Sequence, residues 1–158
     1  MELPAIKTAD VLLSRGLKLS VAESCTGGLL GATLTDVSGS SKWFVGGIIA
    51  YSNELKEALL GVSREVLKTH GAVSSETAME MAEGAKRATG SDVAIAITGI
   101  AGPTGGTPEK PVGTVFVAIT DGRRMKVERF QFQGSRREIR EKTVLKALEI
   151  IEEFVSST

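Results

Sequence analysis

Apolar positions along the chain recur in two periods, one near 3.6 residues and one near 2, and glycine or proline marks most of the changes between them. Val11, Leu12 and Leu13 lie within Ala5 to Ser14, which Pro4 opens and Gly16 follows. That order predicts a helix with proline in its first turn and glycine past its end. Leu17 to Ala22 alternates apolar with polar and predicts a strand. After the turn Glu23-Ser24-Cys25-Thr26-Gly27-Gly28, residues Leu29, Leu30, Ala32, Thr33 and Leu34 return to helical spacing.

Trp43 to Tyr51 is apolar and β-branched and predicts a second strand, with close backbone approaches at Gly46 and Gly47. Asn53 is the expected N-cap of a short helix through Leu60, and His70 falls in an expected loop. Ser74 or Ser75 caps a helix whose Ala78, Met81, Ala82 and Ala85 form a thin alanine-rich face, ending at Gly90. Val93 to Thr98 is apolar almost throughout, as expected of a strand covered on both faces. A glycine- and proline-rich loop follows to Pro111, then a strand over Gly113 to Thr120, a turn at Asp121-Gly122 and a more polar strand over Met125 to Phe132. Ser135-Arg136-Arg137-Glu138 has the form of a capping box, opening a helix with Val144, Leu148, Ile151 and Val155 as its core stripe. Helices interleaved with strands, and a hairpin near the end, predict an α/β chain: a mixed central sheet between helices on both faces, three layers in one domain over residues 1–158.

Composition narrows the chemistry. Nineteen basic residues balance nineteen acidic ones, so no overall field draws the chain to nucleic acid or an anionic membrane. The single Cys25 excludes an intrachain disulfide framework, and His70 as the only histidine excludes multi-histidine metal sites within one chain. With no apparent signal peptide or membrane span, these features lead to an expected cytoplasmic protein that uses no metal and no cofactor.

Two segments lie where strands end and helices begin, the usual place for ligands in such sheets: Glu23 to Gly28 and Thr98 to Pro111. Ser24 and Thr26 are either helix caps or reactive hydroxyls. The available bases for a serine are His70, which no flanking motif supports, and a lysine, of which Lys56 is the best placed at a strand end, although it also reads as a surface charge. Cys25 reads as a small buried residue or as a thiol at a helix start. Arg136, Arg137 and Arg140 stand at a helix start, where cations oppose the dipole, and so hint at an anionic partner. Glu23 either positions a cation or ends its strand in a salt bridge. The alanine-rich helix and Trp43-Phe44-Val45 are candidates for contact with a second copy or for internal packing.

The stretches Ala22-Glu23-Ser24-Cys25-Thr26-Gly27-Gly28, Gly47 to Asn53, Gly71-Ala72-Val73-Ser74, Thr98 to Pro103 with Gly105-Gly106-Thr107, Lys110 to Val115, and Phe132 to Arg140 span nearly the whole chain. In this order they resemble the C-terminal domain of the CinA family, the nicotinamide mononucleotide deamidases also called PncC. The resemblance implies an α/β/α sandwich, commonly oligomeric, that hydrolyses the carboxamide of a small-molecule nucleotide to a carboxylate and ammonia. Ser24 would then be the nucleophile, Lys56 with Tyr51 its base, and the Cys25 to Gly28 turn with the Thr98 hydroxyl the oxyanion site. Glu23, Cys25, Thr26, Gly27 and Gly28, the loop glycines Gly99, Gly102, Gly105 and Gly106, and Arg136 or Arg140 would contact the substrate and its phosphate. Many family members carry a further N-terminal molybdopterin-binding-like domain with pyrophosphatase activity, and that second activity is expected to be absent here. Ser135 stands where the family often has aspartate. The alternatives are a non-catalytic nucleotide-binding module of the competence or damage-inducible type, and an amidase for a related nucleotide amide.

Overall fold

The computed structural model describes residues 2–157, so the end residues of the expected 1–158 domain, Met1 and Thr158, lie outside it. Its elements are α1 (Glu2–Arg15), β1 (Leu19–Glu23), α2 (Leu29–Thr35), β2 (Phe44–Ile49), α3 (Asn53–Leu60), α4 (Arg64–His70), α5 (Ser75–Thr89), β3 (Val93–Gly99), β4 (Thr114–Thr120), β5 (Met125–Gln131) and α6 (Arg136–Ser156). The five strands form one sheet in the order β2-β1-β3-β4-β5. β1 runs parallel to both β2 and β3, while β3-β4 and β4-β5 are antiparallel. The expected mixed sheet with helices on both faces is the fold observed.

The central strands look uniformly apolar in sequence, yet they alternate in size. Leu19 and Val21, Val93, Ile95 and Ile97, and Val115, Val117 and Ile119 face one side, where Leu12, Leu30, Leu34, Leu148, Ile151 and Phe154 of α1, α2 and α6 cover them. Ala22, Ala94, Ala96 and Ala118 face the other side and meet Ala78, Met81, Ala82 and Ala85 of α5. Small residues on both partners let α5 lie close to the sheet, so its alanine-rich face is internal packing. Trp43 is likewise buried at 1% exposure and belongs to the larger core, whereas Val45 beside it is exposed.

Three expectations about elements need correction. The N-cap of α3 is Ser52, whose side chain accepts from Leu55 N–H, and Asn53 is already helical. His70 ends a helix, α4, instead of lying in a loop; Ser63 caps that helix, and Val66 and Leu67 pack on the alanine-rich core. At seven residues α4 is too short to show a period in sequence. Of the two glycines in β2, only Gly47 is closely approached: a Cβ there would lie 2.3 Å from the Val21 carbonyl oxygen, while Gly46 has nothing within 4 Å.

Gly84 sets how closely α5 approaches the end of α3. A Cβ at this α5 position would lie 1.9 Å from the carbonyl oxygen of Leu60, the last residue of α3. Alanine would raise intrinsic helix propensity by about 1 kcal/mol. Overpacking against rigid backbone costs roughly 1–3 kcal/mol and forces the helices apart. The clash therefore wins, and Gly84→Ala is expected to lower the thermal midpoint by several degrees; a rise in calorimetry would show that α3 and α5 are not in contact through backbone.

Candidate active site

β1 and β2 are neighbours whose following helices cover opposite faces: Leu30 and Leu34 of α2 lie in the larger core, Leu60 of α3 in the alanine-rich one. The two chain exits therefore diverge and leave a crevice at the carboxyl ends of the strands. Ser24 follows β1, Lys56 lies in the second turn of α3, and Thr98 and Gly99 end β3. These residues line a cleft of about 280 Å³ together with Cys25, Tyr51, Gly102, Gly105 and Arg136.

Lys56 is the unusual group. Its side chain is 1% exposed. Its Nζ stands 3.0 Å from Ser24 Oγ, 3.0 Å from the Ala50 carbonyl oxygen and 3.0 Å from the Tyr51 carbonyl oxygen. Among the described residues no carboxylate pairs with it. Burial disfavours the charged ammonium and moves its pKa below the ordinary 10.5, against a smaller opposing influence of Cys25. As an ammonium, Nζ donates to all three oxygens. After losing a proton it can keep both carbonyl bonds, and its lone pair then faces the Ser24 hydroxyl, the arrangement of a serine with a lysine base.

The turn that carries Ser24 is clamped from two sides. Glu23, itself 1% exposed, accepts from the Thr26 hydroxyl at 2.6 Å, from Leu30 N–H at 3.0 Å and from Gly31 N–H at 2.9 Å. It thus caps α2 from the end of β1, in place of the N-cap Gly28, which offers no side chain. From α6, Arg140 donates to the Thr26 carbonyl at 2.9 Å. Within the turn, Gly27 N–H is used by the Ser24 carbonyl and Leu29 N–H by the Thr26 carbonyl. The Thr26 and Gly28 N–H groups carry no hydrogen bond among the described residues.

Several expected roles shift with this geometry. Glu23, Thr26, Gly27, Gly28 and Arg140 shape the turn and do not line the cleft. The Thr98 hydroxyl donates to the Ala72 carbonyl at 2.7 Å, so its proton is engaged away from Ser24. Tyr51 serves Lys56 through its main-chain carbonyl, while its phenol oxygen accepts from Arg136 at 3.0 Å. The same guanidinium donates to the Gly102 carbonyl at 2.6 Å and so ties the β2-α3 connection to the loop after β3. Gly106 lies outside the cleft, and Cβ atoms at Gly102 and Gly106 would meet Val112 at 2.4 and 2.6 Å. These two glycines let the loop fold onto Val112, a packing need that composition alone could not separate from phosphate binding.

Burial pushes the Cys25 thiol up to about 12, so it stays protonated at neutral pH and is no thiolate nucleophile. His70 pairs with Glu76 at 3.4 Å and does not line the cleft. Arg137 faces Glu141 at 3.6 Å on the surface. Sequence reasoning assigned no role to Ala72 and Val73, which line the cleft from the α4-α5 connection. Their only signal in the sequence is the stretch Gly71-Ala72-Val73-Ser74.

Comparison with known proteins matches the CinA C-terminal domain family over residues 4–155. A CinA-like protein of Citrifermentans bemidjiense is 50% identical over 149 residues, covering 94% of this chain and 36% of that protein. A CinA-like protein of Thermotoga maritima is 49% identical over 145 residues, covering 92% of this chain and 35% of its own length. The chain therefore spans little more than a third of the length of these curated relatives. Among solved structures, a CinA superfamily protein of Klebsiella pneumoniae superposes with a TM-score of 0.96 at 34% identity, covering 99% of this chain and 98% of its own. A competence/damage inducible protein of Agrobacterium tumefaciens gives 0.89 at 40% identity, covering 94% and 93%.

Glu23→Ala removes an acceptor shared by two main-chain N–H groups and a hydroxyl in a buried setting. Hydrogen bonds to a charged group contribute about 1.5–3 kcal/mol, so the thermal midpoint should fall by roughly 4–10 °C. A midpoint within a degree of wild type would mean that α2 is capped by other groups.

Proposed function

Because the chain belongs to the CinA C-terminal domain family and sets a serine against a buried lysine at the carboxyl ends of its strands, we propose that it is an amidohydrolase that converts nicotinamide mononucleotide and water to nicotinate mononucleotide and ammonia. The observation that carries this reading is the 3.0 Å contact between Lys56 Nζ and Ser24 Oγ, in a setting whose burial lowers the pKa of the amine.

In the reaction, neutral Lys56 takes the Ser24 proton as Oγ bonds to the carboxamide carbon, giving a tetrahedral oxyanion. The main-chain N–H of Cys25, the residue of that turn that lines the cleft beside Ser24, stabilises that oxyanion, such a donor contributing about 3–4 kcal/mol where one has been removed in other enzymes. The Lys56 ammonium returns its proton to the departing nitrogen, the carbon-nitrogen bond breaks, and ammonia leaves. Water attacks the resulting ester of Ser24 as Lys56 again accepts a proton; the bond between the acyl carbon and Oγ breaks, Lys56 returns the proton to Oγ, and nicotinate mononucleotide is released. Arg136, with guanidinium hydrogens beyond those given to Gly102 and Tyr51, receives the phosphate in this reading. The reading includes a cytoplasmic location and a reaction that needs no metal or redox cofactor.

Ammonia release by purified wild type, Ser24→Ala and Lys56→Ala, with folding checked by circular dichroism, tests the reading. Ser24→Ala should fall to background and Lys56→Ala by about 10²- to 10⁴-fold. Since the base is the neutral amine and its pKa is lowered, wild-type kcat/KM should rise with pH through a single ionisation below 10.5 and level off above it. Full activity in folded Ser24→Ala would sink the serine mechanism. Nucleotide binding without ammonia release by wild type would favour a nucleotide-binding module.

A further inference from the structure

Nicotinamide mononucleotide brings a pyridinium ring with a full positive charge into the cleft just described, and the cleft has no carboxylate with which to meet it. Its lining contains neither Asp nor Glu, and its permanent charge, Arg136, has the same sign as the ring. The Lys56 amine next to the nucleophile adds a second positive charge whenever it is protonated. A cationic ring placed there unassisted would meet repulsion from both sides.

One group in the lining can offset this. Tyr51 is the only aromatic residue that borders the cleft and the only tyrosine in the chain. It is 60% exposed, a large aromatic side chain left in solvent at the rim of a polar site. Its phenol oxygen accepts from Arg136 at 3.0 Å, which holds the far end of the ring while the residue as a whole stays exposed. Its main-chain carbonyl accepts from Lys56 at 3.0 Å, and the residue lines the same cleft as the dyad. The face of an aromatic ring carries partial negative charge and attracts a cation within about 6 Å of its centre.

Resting on the nicotinamide mononucleotide reading above, we propose that the Tyr51 ring is the platform that receives the cationic pyridinium of the substrate, making Tyr51 a determinant of ring charge and not a base. Arg136 and Tyr51 then divide a zwitterionic ligand between them: the guanidinium takes the phosphate and the ring takes the pyridinium. Tyr51 discriminates by charge, so the same mononucleotide with its ring reduced to the neutral dihydropyridine should lose this contribution while keeping its phosphate and carboxamide.

The test is calorimetric binding of nicotinamide mononucleotide and of its reduced dihydropyridine form to wild type, Tyr51→Phe and Tyr51→Leu, with ammonia release measured in parallel on the oxidised form. Wild type should prefer the charged ring by about tenfold. Tyr51→Phe, which keeps the ring and loses the hydroxyl, should retain that preference, and Tyr51→Leu should abolish it mainly through weaker binding of the charged form and a raised KM. Equal weakening of both forms in Tyr51→Leu, or an unchanged preference, would overturn the proposal. If wild type binds with a Tyr51-dependent charge preference yet releases no ammonia, the platform stands and the deamidase reading falls. If it turns over with no preference for the charged ring, the deamidase reading stands and the platform falls.

Discussion

The structure depends on one buried lysine amine that, among the described residues, has no carboxylate as counter-ion. Placing an ammonium out of water costs several kcal/mol unless it is paired or loses its proton. Lys56 has oxygens around it but no carboxylate, and two of those oxygens are carbonyls of consecutive residues, Ala50 and Tyr51. Such a pair of carbonyls holds the amine in place whether or not it is charged, while burial biases it toward the neutral form. A carboxylate in the same position would have stabilised the ammonium and removed its use as a base. The third oxygen, Ser24 Oγ, is where that choice becomes chemistry.

The rest of the fold holds the two halves of this contact in register. β1 delivers Ser24, and the parallel pairing of Glu23 with Ile49 brings the ends of β1 and β2 level, so that Ala50 and Tyr51 emerge beside the nucleophile. Ser52 caps α3 at once, and Gly84 lets α5 press on the end of that helix, which sets the depth to which Lys56 is carried. On the opposite face the larger side chains carry α2 and α6 against the sheet, and Glu23 and Arg140 reach from β1 and α6 to the Ser24 turn. The difference in side-chain size between the two faces thus serves the site: the thin face admits α5, and the thick face supports the turn.

Much of this was legible in sequence where local physics decides the outcome. The capping box at Ser135 and Glu138 is formed with both of its hydrogen bonds, and the apolar runs of β3 and β4 lie covered on both faces. Ser24, Lys56 and Arg136 do converge on one cleft. What could not be read was whatever depends on the partner across space. Glu23 looks like any strand-end acid until the N–H groups of Leu30 and Gly31 are seen to point at it. Thr98 and Tyr51 carry hydroxyls suited to catalysis, but the Ala72 carbonyl and Arg136 engage them. The glycines at 102 and 106 answer to Val112, which lies several residues on in sequence and is brought back only by the fold of the loop.

The most direct test of the account is the titration of Lys56 itself, followed by nitrogen NMR at Nζ in lysine-labelled protein and assigned by its absence in Lys56→Met. The Lys56 midpoint should lie clearly below the ordinary 10.5, with the other lysine signals unmoved by the substitution. A midpoint at or above 10.5 would mean that the ammonium is stabilised in place, and Lys56 could not then serve as the base for Ser24.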